Sequence, residues 1–243
     1  MNNEILLLSK NDIPFPQAQV NIHNPTIEEI SPLGEESFHI GCQFLNFSLN
    51  DLSEEDKTVL EDKSDFEVFM SIMLSKEKVR YKIDAQLVLS LIFPDYHISF
   101  SKDAIVLEKD YDSFYINEKN FNAFKDLLSS MFCLEEDKAQ EKYNPANKMA
   151  ERIANKLKKR EQQLAKKSTD KKHKIAIFSR YISILAVGEH KDINELMNYT
   201  VYQLNDEFKR FQKKQTYDMY IKAKMAGATD LDDVDNWMED IHP

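Results

Sequence analysis

Glycine is scarce in this chain: there are 4 in 243 residues, where average usage near 7% would supply roughly 17. No GxGxxG, GxxxxGK[ST] or GxSxG pattern occurs. The loops that cradle phosphates and the tight turn that presents a nucleophilic serine are therefore missing, which argues against nucleotide enzymes. Cysteine is equally sparse. Cys42 and Cys133 stand far apart in no metal-type spacing, so neither a zinc site nor a disulfide framework is indicated, and a reducing cytoplasm fits best. Long apolar runs are lacking too. The opening MNNEILLLSKND holds an acidic residue and a four-residue apolar run, too short for a secretory signal or a membrane span. The expectation is a soluble, intracellular protein with no membrane partner.

Charge is plentiful and unevenly placed. The net charge is −10, yet residues 148–174 hold 11 of the 32 Lys and Arg beside 3 of the 42 Asp and Glu, a local +8 embedded in −18. An acidic body repels phosphate at long range, so nucleic-acid binding would depend on that stretch and would be salt-sensitive. Lys156, Lys158, Lys159 and Arg160 form the candidate basic patch within KLKKREQQLAKKSTDKKHK, residues 156–174. No aromatic residue interrupts it to stack on bases, and no helix-turn-helix or zinc module accompanies it. Its apolar positions Met149, Ile153, Leu157 and Leu164 make a stripe one residue wide, whereas a core-facing helix shows a band of about 100° or more. The stretch 143–174, opened by Asn144 and Pro145, therefore reads as a solvated connector helix with a frayed middle.

The flanking parts set the fold class: α+β and predominantly helical, with a small antiparallel sheet in an N-terminal domain (1–142) and a helical C-terminal domain (175–243). In the first, Ile5–Leu8 and QVNI at 19–22 read as short strands, and Asn24 before Pro25 as a helix cap. Phe38, Cys42 and Leu45 have helical spacing after Gly34. Ser64 and Glu67 stand in capping-box spacing ahead of the stripe Phe66, Phe69, Met70 and Met73. Leu87, Val88, Leu91 and Ile92 follow Asp84 on a helix that Pro94 ends. Alternation in YHISF, AIVLE and SFYI predicts a meander, and Asn117 caps a helix faced by Phe121, Phe124, Leu128, Met131 and Phe132.

After the connector, IAIFSRYISILAV carries apolar residues around most of a helix, predicting burial on several sides, with Gly188 ending it in a left-handed conformation. Asp192 caps a short helix bearing Ile193, Leu196 and Met197. Thr200 and Gln203 form another capping box, followed by Val201, Leu204, Phe208, Phe211 and Met219 on one face, with Gly227 as terminator. Leu231, Val234, Met238 and Ile241 then recur at helical spacing beside Trp237, behind first-turn aspartates that suit a helix dipole. These five are the candidate partner-binding residues, able either to fill a groove on a partner or to pack on the preceding helices.

Sites for chemistry are weaker. Glu36–His39 and Glu239–His242 have the Glu-x-x-His spacing of di-iron bundles, but one pair closes the chain and no apolar helix bears an inward lone Glu. The aspartates from 230 to 235 fail the calcium-loop pattern, with Val234 in the fifth position and Asp235 where glycine should turn the chain. No catalytic residue, metal ligand or cofactor site is nominated, and a non-enzymatic role is expected.

Three stretches taken together carry a family resemblance: FPQAQVNIHNPTIEEISPLGEESFHIGCQFL, LIFPDYHISF, and NELMNYTVYQLNDEFKRFQKKQTYDMYIKAKMAGA followed by DVDNWMEDI. The combination resembles tail assembly chaperones of long-tailed bacteriophages of Gram-positive hosts, over about half of the chain. The resemblance implies a protein that binds the tape measure protein in the host cytoplasm, keeps it soluble and recruits tail tube subunits. Such proteins are usually absent from the finished particle, and related families often make a short and a long product by ribosomal frameshifting. The resemblance carries no site residues. The alternatives are a tail or baseplate structural subunit, or a weak nucleic-acid binder through 156–174; self-association is compatible with each.

Overall fold

The computed structural model describes residues 4–49, 63–76, 79–134, 176–227, 234 and 236–239. In chain order these form α1 (Glu4–Leu7), β1 (Ile13–Phe15), β2 (Val20–Ile22), α2 (Ile27–Ile30), α3 (Glu35–Leu45), α4 (Asp65–Leu74) and α5 (Arg80–Ile92). Then come β3 (His97–Phe100), β4 (Ala104–Lys109), β5 (Asp112–Asn117), α6 (Glu118–Phe132), α7 (Ile177–Gly188), α8 (Ile193–Met197) and α9 (Val201–Met225). The fold is α+β and mostly helical, with a two-stranded hairpin β1-β2 and a three-stranded antiparallel meander β3-β4-β5.

Helix starts follow the side chains that satisfy their free amides. Reciprocal capping boxes open α4 at Ser64 with Glu67, α6 at Asn117 with Asn120, and α9 at Thr200 with Gln203. For α2 the cap is Thr26 with Glu29 and not Asn24. Asn24 is committed elsewhere: it is buried, and its Nδ2 donates to the carbonyl of Ser9 at 3.0 Å. The first apolar run also departs from expectation, forming the turn of helix α1 instead of a strand. Leu8 N–H bonds the Glu4 carbonyl at 2.8 Å, and only Leu7 of the turn is buried. Val20 to Ile22 pair with Ile13 to Phe15, where Ile13 and Phe15 are buried on either side of exposed Pro14.

One apolar core runs through the described residues. Phenylalanine dominates it: Phe38 meets Phe132 edge-on at 5.0 Å, Phe121 meets Phe66 and Phe69 at 5.1 and 5.2 Å, and Phe124 meets Phe15 at 6.0 Å. Such pairs add about 0.5–1.5 kcal/mol each beyond the area they bury. The expected faces of α3, α4 and α6 are buried. On α5 the buried stripe is Asp84, Ala85, Val88, Leu89 and Ile92, while Leu87 is 43% exposed. The helix begins four residues earlier than expected, and its inner face is set by close approach to α3, where an added Cβ on Gly41 would lie 2.5 Å from the Asp84 carbonyl oxygen. One ion pair is drawn into this core. Lys125 bonds the Asp65 carboxylate and the Phe47 carbonyl, and Asp65 also accepts from Leu49 N–H. Burial would push the Asp65 carboxyl up, but the Leu49 amide and the Lys125 ammonium hold it below its ordinary value.

The helices after residue 176 join the same core through Phe178, Ile182, Leu185, Leu196, Val201, Leu204 and Phe208. Burial of α7 is confined to one face: Val187 is 76% exposed and Ile184 36%. The helix has neighbours on one side only among the described elements, so its all-round apolar sequence leaves residues facing outward. Gly188 is not left-handed; His190 takes that conformation at φ 58°. The reason for glycine lies in packing, because an added Cβ would lie 2.5 Å from the Phe211 ring tip. Gly227 does end its helix left-handed, at φ 92°. The connector 143–174 and its helix start at Asn144 lie outside the described residues, as do Asp230, Asp232 and Asp233.

Candidate functional site

A cleft of about 450 Å³ lies beside the N-terminal half of α9. The capping box at Thr200 fixes where the helix begins, and the turns that follow place Gln203, Glu207, Arg210 and Lys214 at spacings of four, three and four along one wall. Phe211 contributes an aromatic surface, and its ring packs over Gly188 at the end of α7. The opposite rim comes from Leu8 and Lys10, just past α1. Gln203 Nε2 donates to the Leu8 carbonyl at 2.6 Å and so ties that rim to α9.

The floor is a polar network. Lys191, in the loop between α7 and α8, bonds the Glu207 carboxylate and donates to the Tyr199 hydroxyl at 2.8 Å. Burial would lower the Lys191 ammonium, but these two bonds hold it far above its ordinary value. Burial pushes the Tyr199 phenol up, with the Glu207 charge adding to it. Glu189 is pushed up by burial and by its bond and charge interaction with Glu207. Glu207 is therefore the hub: it pairs with Lys191, and its charge also acts on Tyr199 and Glu189.

The C-terminal turn borders the cleft through Trp237. Residues 236–239 form a reverse turn, not the helix expected there, because Glu239 N–H bonds the Asn236 carbonyl at 3.0 Å and Met238 N–H bonds Asn236 Oδ1 at 3.1 Å. An asparagine side chain that captures a backbone amide two residues on competes with helix formation. Arg210 Nη1 donates to the carbonyl of Glu239 at 3.0 Å and lies 3.4 Å from that of Trp237. Of the candidate partner-binding residues, Trp237 lines the cleft half-buried, Val234 is half-buried, and Met238 is 67% exposed. Leu231 and Ile241 lie outside the described residues, as do Lys156, Lys158, Lys159 and Arg160. Sequence reasoning missed Lys191, Tyr199 and Arg210 as site residues. The polar stripe on α9 was readable from its spacing; the arrival of a loop lysine and a terminal tryptophan beside it was not.

The other polar clusters are joints between elements. Glu36 pairs with Arg80 at 3.0 Å, and His39 lies 3.7 Å from Glu35, so the first Glu-x-x-His pair faces no common point; His242 of the second lies outside the described residues. His23 is held between two carboxylates, Asp12 on Nδ1 at 3.0 Å and Glu29 on Nε2 at 3.1 Å. They lie on opposite sides of the ring and cannot share an ion. Among the described residues no three His, Cys, Asp or Glu side chains are grouped to hold a metal, and no helix is long and apolar enough to cross a membrane.

Comparison with curated proteins and with solved structures gives no match. A model of the YomV second domain matches residues 167–242, the part that contains α7, α8, α9 and the Trp237 turn. Over that third of its length the chain is similar to a phage-derived protein family, which suggests a phage protein.

Proposed function

We propose that this chain is a non-enzymatic tail assembly chaperone that binds the tape measure protein in the host cytoplasm and helps recruit tail tube subunits. The phage-derived family match supports the setting, and the three stretches that resemble tail assembly chaperones support the role. The structural observation behind the reading is the C-terminal two thirds of α9. Beyond Phe208 none of its side chains is buried, and Met219 and Met225 are 62% and 83% exposed. At about 1.5 Å per residue this is a rod of roughly 26 Å. Val187 on α7 and Ile193 on α8 add apolar surface, 76% and 57% exposed. A long helical partner with apolar stripes needs such faces to cover it, and methionine adapts to varied partner surfaces. The acidic net charge of −10 would keep the complex soluble.

Co-expression with the tape measure protein tests the reading. The expected result is a soluble complex that co-elutes in size-exclusion chromatography at moderate salt, and that Met219→Glu with Met225→Glu weakens. Separate elution of the two wild-type proteins would refute it.

A further inference from the structure

We propose that the cleft on α9 is a recognition site for an aromatic-bearing reverse turn, and that the Trp237 turn of this chain is its internal occupant, displaced when a partner presents a turn of the same chemistry. The inference deepens the binding function proposed above by naming one contact site and its ligand class. It stands on the geometry of both sides. The turn 236–239 is closed by its own bonds through Asn236, so it presents a preformed shape. Its carbonyls at Trp237 and Glu239 point outward to a single guanidinium, that of Arg210. Both contacts are made by Nη1, whose two N–H donors are enough for two carbonyls of one turn. Trp237 shares the lining of the cleft with Tyr199 and Phe211.

Residues 230–241 carry six acidic side chains and no basic one. The cleft is lined by three cations, Lys10, Arg210 and Lys214, and by three acids, Glu189, Asp206 and Glu207, of which Glu207 pairs with Lys191, so recognition rests on the Arg210 bonds and the aromatic lining and not on net charge. The occupant nevertheless sits lightly: Trp237 is half-buried and Met238 is 67% exposed. A shallow seat tethered to its own site acts through high local concentration, in the millimolar range for short linkers. It keeps the cleft filled without making it inaccessible to a partner that offers the same turn with further contacts.

Trp237 is the only tryptophan of the chain, which gives a direct assay. The full-length Trp237→Ala protein is mixed with a synthetic peptide of residues 228–243, whose indole is then the sole tryptophan in the sample. Saturable capture, seen as a blue shift and rising anisotropy of the indole, is the expected result. Adding Arg210→Gln should weaken capture about tenfold or more, the loss expected for removing a charged donor. A fluorescein-labelled copy of the peptide should bind the wild-type chain at least about tenfold more weakly than the Trp237→Ala chain, because the tethered turn competes. Absence of capture by a Trp237→Ala protein with wild-type circular dichroism overturns the proposal, and so does indifference to Arg210→Gln. If Trp237→Ala fails to fold, wild-type emission decides: Trp237 must emit to the blue of the free peptide and shift red in Arg210→Gln, and identical emission overturns the proposal. No tape measure protein enters these measurements. A chain that captures the peptide but not the tape measure protein would sink only the chaperone reading.

Discussion

Replacing Gly41 by alanine pits two effects against each other at the crossing of α3 and α5. Alanine is the better helix former by up to about 1 kcal/mol, so on propensity alone the variant gains stability. Sterics oppose it. The new Cβ would lie 2.5 Å from the Asp84 carbonyl oxygen and 2.7 Å from Val88 Cγ2, where ordinary contact starts at 3.4 Å. The first of these is backbone inside a helix and cannot swing aside. The two helices must part by roughly 1 Å at this point, and a gap of that size forfeits a quarter to a half of the dispersion energy of the atoms along it. Overpacking of this kind costs about 1–3 kcal/mol, so a net loss of about 1–2 kcal/mol remains. For a chain of this size that lowers the melting temperature by roughly 2–8 °C, measured by circular dichroism with a denaturant titration as the second probe. Gly188→Ala is the control. Its Cβ meets the tip of the half-buried Phe211 ring at 2.5 Å; the ring can rotate away, and the change should stay within about 1 kcal/mol. A melting temperature raised by Gly41→Ala, or lowered no more than by Gly188→Ala, would refute the argument.

Stability should also depend on pH through His23, whose two ring nitrogens both face carboxylates and can both donate only as the imidazolium. Burial lowers the His23 value, but the bonds to Asp12 and Glu29 with their charges hold it above the ordinary 6.5, so its contribution is complete below about 6.5 and is lost as pH rises through the raised value. At the acid end, burial raises Glu29 while the Thr26 amide, the Thr26 hydroxyl and His23 lower it further, so that contribution is lost only as pH falls through a value below 4.5. Asp12 and Glu29 are 53% and 45% exposed, which limits the clasp to about 1 kcal/mol. His23→Gln should remove the alkaline slope in a pH series of denaturant midpoints, and an unchanged slope would refute this. The two cysteines should separate by reactivity: Cys42 is fully buried with its thiol pushed well up, and Cys133 is half-buried with a smaller rise that burial causes. A thiol reagent at neutral pH should modify Cys133 slowly in the native chain and Cys42 only in denaturant, and equal native rates would contradict the described packing.

How much of this was legible in the sequence depends on how local each cause is. The capping boxes at Ser64 and Thr200 and the Asn117 cap are relations between residues three apart, and they appear as read. The meander was carried by alternation in YHISF, AIVLE and SFYI, and an antiparallel β3-β4-β5 sheet forms there. The four apolar residues at the start fit a strand or a helical turn equally well, and the Leu8 N–H bond to the Glu4 carbonyl closes them as a turn. Asn24 lost its capping role to a contact with Ser9, 15 residues earlier. On α7 the sequence showed apolar residues all around, but which of them are covered depends on where the neighbouring elements lie. The polar residues of α9 recur at helical spacing, whereas Trp237, and the Lys191 that bonds Glu207 and Tyr199, come from loops, where no period announces a meeting.

The junction between the N-terminal elements and the C-terminal helices explains why the part similar to the YomV second domain is tied to the rest of this chain. Helix α7 has no side-chain cap of its own at Ala176. Its Phe178 N–H is instead taken by Glu35 Oε1 at 2.6 Å, from the first turn of α3. A carboxylate there satisfies a free amide and lies at the positive end of the helix dipole. The Phe178 ring then packs between Phe38 and His39, with centroids at 6.0 and 5.1 Å. A second tie lies at the start of α9, where the two capping threonines, Thr26 and Thr200, form an antiparallel bridge and Ile27 N–H bonds the Tyr199 carbonyl at 2.8 Å. Tyr199 is also the residue whose hydroxyl receives Lys191 in the cleft floor. The cleft is thus built on the seam itself, with its floor residue fixed by an N-terminal helix and its rim at Leu8 tied to Gln203. A partner that engages this cleft acts on a surface to which both ends of the chain contribute.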